Sequence, residues 1–231
     1  MASRTLRSIK GATLDHVVAP DGFTSLREAI ALADDDGAED TIVLPHAIGG
    51  VVGTYTLVLG ELAVDDADAL TIESDGGTAT IDALGASRVF SIAAGSDVTL
   101  RGLVITGGYS AATGGGIYNL GTLTVEGSSI IGNSAAGEGG GLDNLGDGVA
   151  TISGTTFKEN HSGGYGGGFR NLGIWGNHGS MTVSDSAFIG NTSYYNGGGF
   201  DNNGVLVLSG SHFEGNQATS GAGAPSATAA R

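Results

Sequence analysis

The sequence predicts an all-β fold: a right-handed parallel β-helix with a short capping α-helix near its N-terminal end. Three observations carry that prediction, namely a repeated glycine triplet, a second signature ending in Asn, and apolar columns of period two between them. GGGIYN begins at 114 and recurs as GGGLDN at 139, GGGFRN at 166 and GGGFDN at 197, spacings of 25, 27 and 31 residues. IIGN at 130, FKEN at 157, FIGN at 188 and FEGN at 213 form the second signature, and each of the first three ends six residues before the next triplet. Length variation is confined to the stretch between the Asn of the first signature and the following strand, with insertions of 0, 2, 6 and 0 residues. One corner of the repeat is therefore expected to tolerate loops.

Alternation within each copy assigns the side chains that point inward. Four columns emerge: Ile117, Leu142, Phe169 and Phe200; Leu123, Ala150, Met181 and Leu206; Val125, Ile152, Val183 and Leu208; Ile130, Phe157, Phe188 and Phe213. Parallel strands stacked about 4.8 Å apart produce such columns. A helical-repeat solenoid fits less well, because the runs are short, punctuated by Gly, and rich in Val, Ile, Thr and Phe. Two Asn columns accompany them: Asn119, Asn144, Asn171 and Asn202, then Asn133, Asn160, Asn191 and Asn216. An amide that both donates and accepts suits a stacked structural ladder. That reading is preferred to glycosylation at Asn191-Thr-Ser, a sequon that occurs by chance.

Upstream the pattern is less regular. DVTLRGLVITGG at 97 aligns one period of 25 before the second strand of the first full copy, and RVFSIAA at 88, ALTIES at 69, YTLVLGELAV at 55 and DTIVLP at 40 read as earlier strands. Before them SLREAIALADDDG carries a capping box from Ser25 to Glu28, an apolar stripe of Leu26, Ile30 and Ala33, and a terminal Gly37. This helix is expected to cover the first rung, which otherwise exposes apolar side chains and strand edges. The organisation is thus an N-terminal segment over 1–23, a capping helix over 24–37, the β-helix over 38–224 with regular repeats over 114–221, and a flexible tail over 225–231. A fifth rung begins at Gly221 without an evident cap, which suggests end-to-end self-association through the C-terminal rung.

Composition narrows the function. Acidic residues outnumber basic ones 24 to 9, giving a formal charge of −15, so nucleic acid and anionic membranes are disfavoured partners while divalent cations are attracted. Calcium is conceivable as a ligand, but the clusters Asp34, Asp35, Asp36 and Asp65, Asp66, Asp68 lack EF-hand spacing. His16, His46, His161, His178 and His212 lack zinc-like spacing. No metal site is assigned and no cofactor is expected. Cysteine is absent, so stacking rather than disulfides must hold the fold. No apolar run is long enough to span a bilayer, and the first residues lack the hydrophobic core of a secretory signal.

The alternation of GGGIYN with FKEN, FIGN and FEGN resembles the repeats of polymorphic outer membrane proteins. SLREAI at 25, followed by DTIVLP and GELAV, is similar to the SLREA-type segment of large bacterial surface and secreted β-helix proteins. The resemblance covers roughly residues 24 to 224. It implies a pectin-lyase-like solenoid from a bacterial exported protein, extracellular or on the cell surface, commonly an adhesin. The chain departs from the pattern at Thr24, where Cys is common, and carries no following β-barrel anchor, so membrane insertion is not expected.

Enzymes share this fold, so chemistry has to be sought residue by residue. Tyr118, Asp143, Arg170 and Asp201 each follow the inward residue of a first strand and should line one outer face. Asp143 and Asp201 would stand about 9.6 Å apart with Arg170 between them. A lyase, epimerase or hydrolase reading would make these three its catalytic set. The plainer account is a charge ladder contributing about 0.2–1 kcal/mol per cross-strand pair. The longest insertion carries Trp175, Asn177 and His178, and a neighbouring turn offers Tyr165, Tyr194 and Tyr195 near His161. Aromatic faces beside hydrogen-bonding groups suit a glycan or a protein partner on a cell surface. The reading favoured by the sequence is a non-catalytic scaffold or adhesion module, with a polysaccharide-active enzyme or a purely structural self-stacking rod as the alternatives.

Overall fold

Successive repeats stack in parallel register in the computed structural model, which describes residues 4–6, 25–33, 39–48, 51–65, 68–173 and 179–220. Four parallel sheets run along the axis of a right-handed parallel β-helix. Sheet A has eight strands: Arg4–Leu6, Asp40–Leu44, Ala69–Ser74, Asp97–Arg101, Thr122–Glu126, Val149–Ser153, Ser180–Ser184 and Val205–Ser209. Sheet B has seven: Thr54–Thr56, Ala79–Asp82, Leu103–Thr106, Ser129–Ile131, Thr156–Lys158, Ala187–Ile189 and His212–Glu214. Sheet C has five two-residue strands: Tyr109–Ser110, Ser134–Ala135, His161–Ser162, Thr192–Ser193 and Gln217–Ala218. Sheet D has six: Leu62–Val64, Phe90–Ile92, Ile117–Asn119, Leu142–Leu145, Phe169–Leu172 and Phe200–Asn203. Each regular repeat crosses D, A, B and C in turn, and the glycine triplet returns the chain to D one rung higher.

The register places the expected columns directly over one another. Ile117 pairs with Leu142, Leu142 with Phe169 and Phe169 with Phe200, and the other three columns match in the same way. Their members are buried except in the last described rung, where Phe200, Leu206, Leu208 and Phe213 are only partly covered. Phe157, Phe188 and Phe213 stack with centroids 4.9 and 4.8 Å apart, so the rings follow the strand spacing and gain ring contact beyond area burial. Phe169 meets Phe157 and Phe188 edge-on, locking the D and B faces across the core.

The first rungs are built differently. YTLVLGELAV, which reads as one run, is two strands meeting at a corner, Thr54–Thr56 in sheet B and Leu62–Val64 in sheet D. The strand Ala79–Asp82 is too short and too closely flanked by Gly and Asp to stand out from its turns. Among the described residues sheet C starts at Tyr109, and the earlier rungs show no fourth side. Within 1–23, the three-residue strand Arg4–Leu6 joins the edge of sheet A, pairing with Asp40–Ile42.

The capping helix spans Leu26–Ala33. Its box is reciprocal: the Ser25 N–H donates to Glu28 Oε2 at 2.7 Å, and the Glu28 N–H donates to Ser25 Oγ at 3.2 Å. Leu26, Ala29, Ile30 and Ala33 are buried in one cluster with Ile42 and Leu44 of sheet A, so the helix closes the core at this end. Arg27 donates to the carbonyls of Gly60 and Glu61, at 2.7 and 2.8 Å, and ties the helix to the segment entering sheet D.

Candidate functional site

Polar ladders fix the corners that carry the outer surface. In the column of Asn133, Asn160, Asn191 and Asn216, the Oδ1 of each of the last three accepts the backbone N–H and the side-chain amide of the Asn below, that of Asn133 accepts the Gly108 N–H, and each Nδ2 reaches a carbonyl of the preceding rung. The other column links amide to amide, Asn119 to Asn144 at 2.7 Å, then Asn144 to Asn171 and Asn171 to Asn202 at 2.8 Å. Asn191 is completely buried, which removes it as a glycan acceptor. A third ladder escapes a reading based on apolar alternation. Ser128, Thr155, Ser186 and Ser211 each donate to a carbonyl two residues back and accept the N–H of Leu103, Ser128, Thr155 and Ser186 respectively. Its signal is a hydroxyl residue recurring at spacings of 27, 31 and 25.

The column expected to line an outer face lies open only in part. Ser91, Tyr118, Asp143, Arg170 and Asp201 are in register on sheet D, but Asp143 is fully buried and the Arg170 side chain is only 7% exposed. The triplet turns lie against Asp143 and Arg170. The first Gly of each triplet has positive φ and lies against the residue four positions on; a Cβ on Gly139 would stand 2.7 Å from Asp143 Cβ, and one on Gly114 would stand 2.9 Å from Tyr118 Cβ. Lacking a side chain, the turn seats flush on the column and withdraws it from water.

Within that cover Arg170 makes a fork to Asp143, Nε to Oδ1 at 2.8 Å and Nη2 to Oδ2 at 2.9 Å, and its Nη1 donates to Glu138 Oε2. Burial alone would lower the Arg170 pKa, but hydrogen bonding and charge from Asp143, with Glu138 and Asp201 adding, raise it above the ordinary value. Asp201 interacts with Arg170 through space. Its pKa is raised by burial and by Glu138, against the opposing pull of Arg170. Tyr118 is pushed up by burial and by Asp143, and Arg88 lies 5.2 Å from its ring centroid. Asp143, Arg170 and Asp201 are therefore adjacent as expected, with the first two committed to each other.

The tyrosines behave as a surface. Tyr165 and Tyr195 stack with centroids 5.3 Å apart, and Tyr194 meets Tyr195 edge-on at 4.9 Å. Tyr194 and Tyr195 are 49% and 46% exposed. Inward serines of sheet C hold their turns: Ser162 Oγ donates to the carbonyls of Gly137 and Tyr165, Ser193 Oγ to that of Asn196, each at 2.9 Å. The N–H groups of Tyr194 and Tyr195 donate to Ser162 and Gly164 of the rung below. The aromatic cluster thus stands on turns tied by hydrogen bonds to the rung below. Trp175, Asn177 and His178 lie outside the described residues, as do His16, the cluster Asp34 to Asp36, Asp66, and the tail over 225–231.

Among the described residues no group of three or more His, Asp or Glu is placed to hold a metal ion, and no helix is long and apolar enough to cross a membrane. No family model, curated protein or solved structure matches the chain.

Proposed function

We propose that the chain is a non-catalytic binding module, an exported bacterial adhesion scaffold of the kind its repeats resemble, that contacts a glycan or a protein through the turns beside sheet C. The observation that carries this reading is the cluster of Tyr194 and Tyr195, exposed on hydrogen-bonded turns and stacked on the half-buried Tyr165, while Asp143 and Arg170 of sheet D are covered. Large, rigid aromatic faces offer contact area at low entropic cost, and hydrogen-bonding groups alongside supply orientation. Location on the cell surface follows from the same reading, and protease shaving of intact source cells would release the module's peptides.

An array of glycans and surface proteins, probed with the native chain and with a Tyr194→Ala/Tyr195→Ala variant, tests the proposal. Binding that falls about tenfold in the variant is expected. Absence of binding across the array, or binding indifferent to the tyrosines, overturns it.

One observation favours a second reading as a polysaccharide-active enzyme: Asp201 stands in register beside Arg170 on sheet D and is half-exposed, so it is the one acid of the charged column that a substrate could reach. Arg170 is committed to Asp143, so its removal disturbs the fold and does not discriminate. Asp201→Asn does, because loss of reducing-end release in a folded variant would make the site catalytic.

A further inference from the structure

We infer that the ligand is a linear, uncharged polysaccharide lying along the solenoid axis on the ridge formed by sheet C and its following turn; this rests on the binding-module reading above. The outward rank of sheet C is Tyr109, Ser134, His161, Thr192 and Gln217, each paired with the next in strand register. All of these carry hydrogen-bonding atoms, none is Asp, Glu, Lys or Arg, and all are exposed or half-exposed. His161 Nδ1 and Thr192 Oγ1 already lie 2.9 Å apart. Beside this rank run the turns AAT, AGE, GGY and YYN that hold the tyrosines.

Charge decides the ligand class. The whole chain has 24 acidic and 9 basic residues, yet the ridge over 109–113, 134–138, 161–165, 192–196 and 217–220 contains one charged residue, Glu138. Glu138 is bonded to Arg170, which itself is buried against Asp143. The ridge thus offers no free cation to a uronate or sulfated chain, and the net charge of −15 repels one. A protein partner of standard size would need about 800 Å² on each side with a continuous apolar centre. Here the turn below the tyrosines is Gly163 and Gly164, and the next is Ala136 and Gly137, which supply shallow backbone relief instead of a hydrophobic patch. Rings for sugar faces on two adjacent rungs, and beside them a neutral hydrogen-bonding rank repeated at every rung, suit an extended chain of neutral sugars.

Affinity electrophoresis in native gels containing hydroxyethylcellulose, xyloglucan or galactomannan, against gels containing polygalacturonate or alginate, tests the inference, each with calcium and with chelator. Retardation by at least one neutral polymer, unaltered by salt or chelator, is expected, as is about tenfold weaker retardation for Tyr194→Ala/Tyr195→Ala and a smaller loss for His161→Ala/Gln217→Ala. Unchanged circular dichroism of these surface variants excludes misfolding as the cause. Retardation by the uronates alone overturns the inference and leaves the binding module standing, and so does capture of a surface protein without any glycan. Failure to bind polymer or protein overturns both.

Discussion

Replacing Asn160 by Ala probes the principle on which the solenoid is built. The Asn160 side chain is fully buried and makes four hydrogen bonds: it accepts the Asn133 N–H at 3.0 Å and the Asn133 amide at 3.1 Å, and donates to the Ile130 carbonyl at 2.8 Å and to Asn191 Oδ1 at 2.9 Å. Asn133 Nδ2 retains the Ile105 carbonyl and Asn191 Oδ1 retains the Asn160 N–H, so the main losses fall on the Asn133 N–H and the Ile130 carbonyl. Stranding two buried backbone groups costs about 1–3 kcal/mol each, so the variant should lose roughly 4 kcal/mol of a total near 5–15. Asn160→Asp keeps the acceptors but sets a carboxylate against two oxygens; it should be worse than Ala at neutral pH and recover as acid protonates it. Asn216→Ala, in the last described rung, removes three buried side-chain hydrogen bonds and strands the Asn191 N–H and the Phe188 carbonyl, so it should cost a similar amount. Equilibrium urea unfolding followed by circular dichroism reads all three. A loss below about 1 kcal/mol for Asn160→Ala would show that the amide ladder only decorates a fold held by apolar stacking.

The same titration, run against pH, tests the half-buried acid of the column. The Asp201 pKa is raised above 3.8, so its protonated form is favoured by folding; its contribution is fully present below the unfolded pKa and is lost as pH rises through the folded value. Asp201→Asn should therefore be more stable than the native chain at neutral pH, and the difference should vanish below about 3.8. Arg170→Ala strands a buried carboxylate and should cost about 3–5 kcal/mol by thermal or urea unfolding. Glu159 occupies a left-handed site, φ 53°, where the other copies have Gly132, Gly190 and Gly215. Relieving about 1–2 kcal/mol of strain against about 0.5–1 of added chain entropy, Glu159→Gly should raise stability by roughly 0.5–1 kcal/mol. Gly140→Ala should cost 3 kcal/mol or so, since its Cβ would meet the backbone oxygens of His161 and Gly167 at 2.3 and 2.6 Å, contacts no rotamer relieves.

Much of this architecture is legible in the sequence because period-two alternation and fixed signatures leave little freedom. Leu142 must lie over Ile117 if Asn144 lies over Asn119, and the chain has both. Exposure is harder to read than register. Alternation assigns Asp143 to the outside of its strand, correctly, but whether an outer position meets water depends on the turn above it. The cover over Asp143 and Arg170 is made by Gly139 and Gly166 with their neighbours, residues whose lack of a side chain gives no pattern of its own. Sheet C is opaque for a different reason: two-residue strands show no alternation, and their inward members are Ser110, Ala135, Ser162, Ser193 and Ala218, which look like turn residues. Tyr165, Tyr194 and Tyr195 were visible as aromatics in turns, whereas the stacking that makes them one surface required the rungs to be superposed.

The insertions show how the solenoid separates variation from structure. At the corner between sheets D and A, the ladder Asn of each rung donates to the carbonyl of the Gly that starts the next strand: Asn119 to Gly121, Asn144 to Gly148, Asn171 to Gly179 and Asn202 to Gly204, at 3.1, 2.9, 3.1 and 3.1 Å. The separation grows from two residues to eight while the bond does not change. The Asn–Gly contact thus clamps the ends of the loop, and whatever lies between leaves the stacking untouched. Closing the longer loop costs only about 0.6 kcal/mol per doubling, or roughly 1.2 kcal/mol across the range seen here. At the corner between sheets B and C no such slack exists, because Asn133, Asn160 and Asn191 each bond through their own backbone N–H to the rung above. One corner is free to vary, and the ridge that follows the other is held in register from rung to rung. A rigid, repeating ridge suits an extended polymer, while a clamped but variable loop is where a single rung can acquire a contact that its neighbours lack.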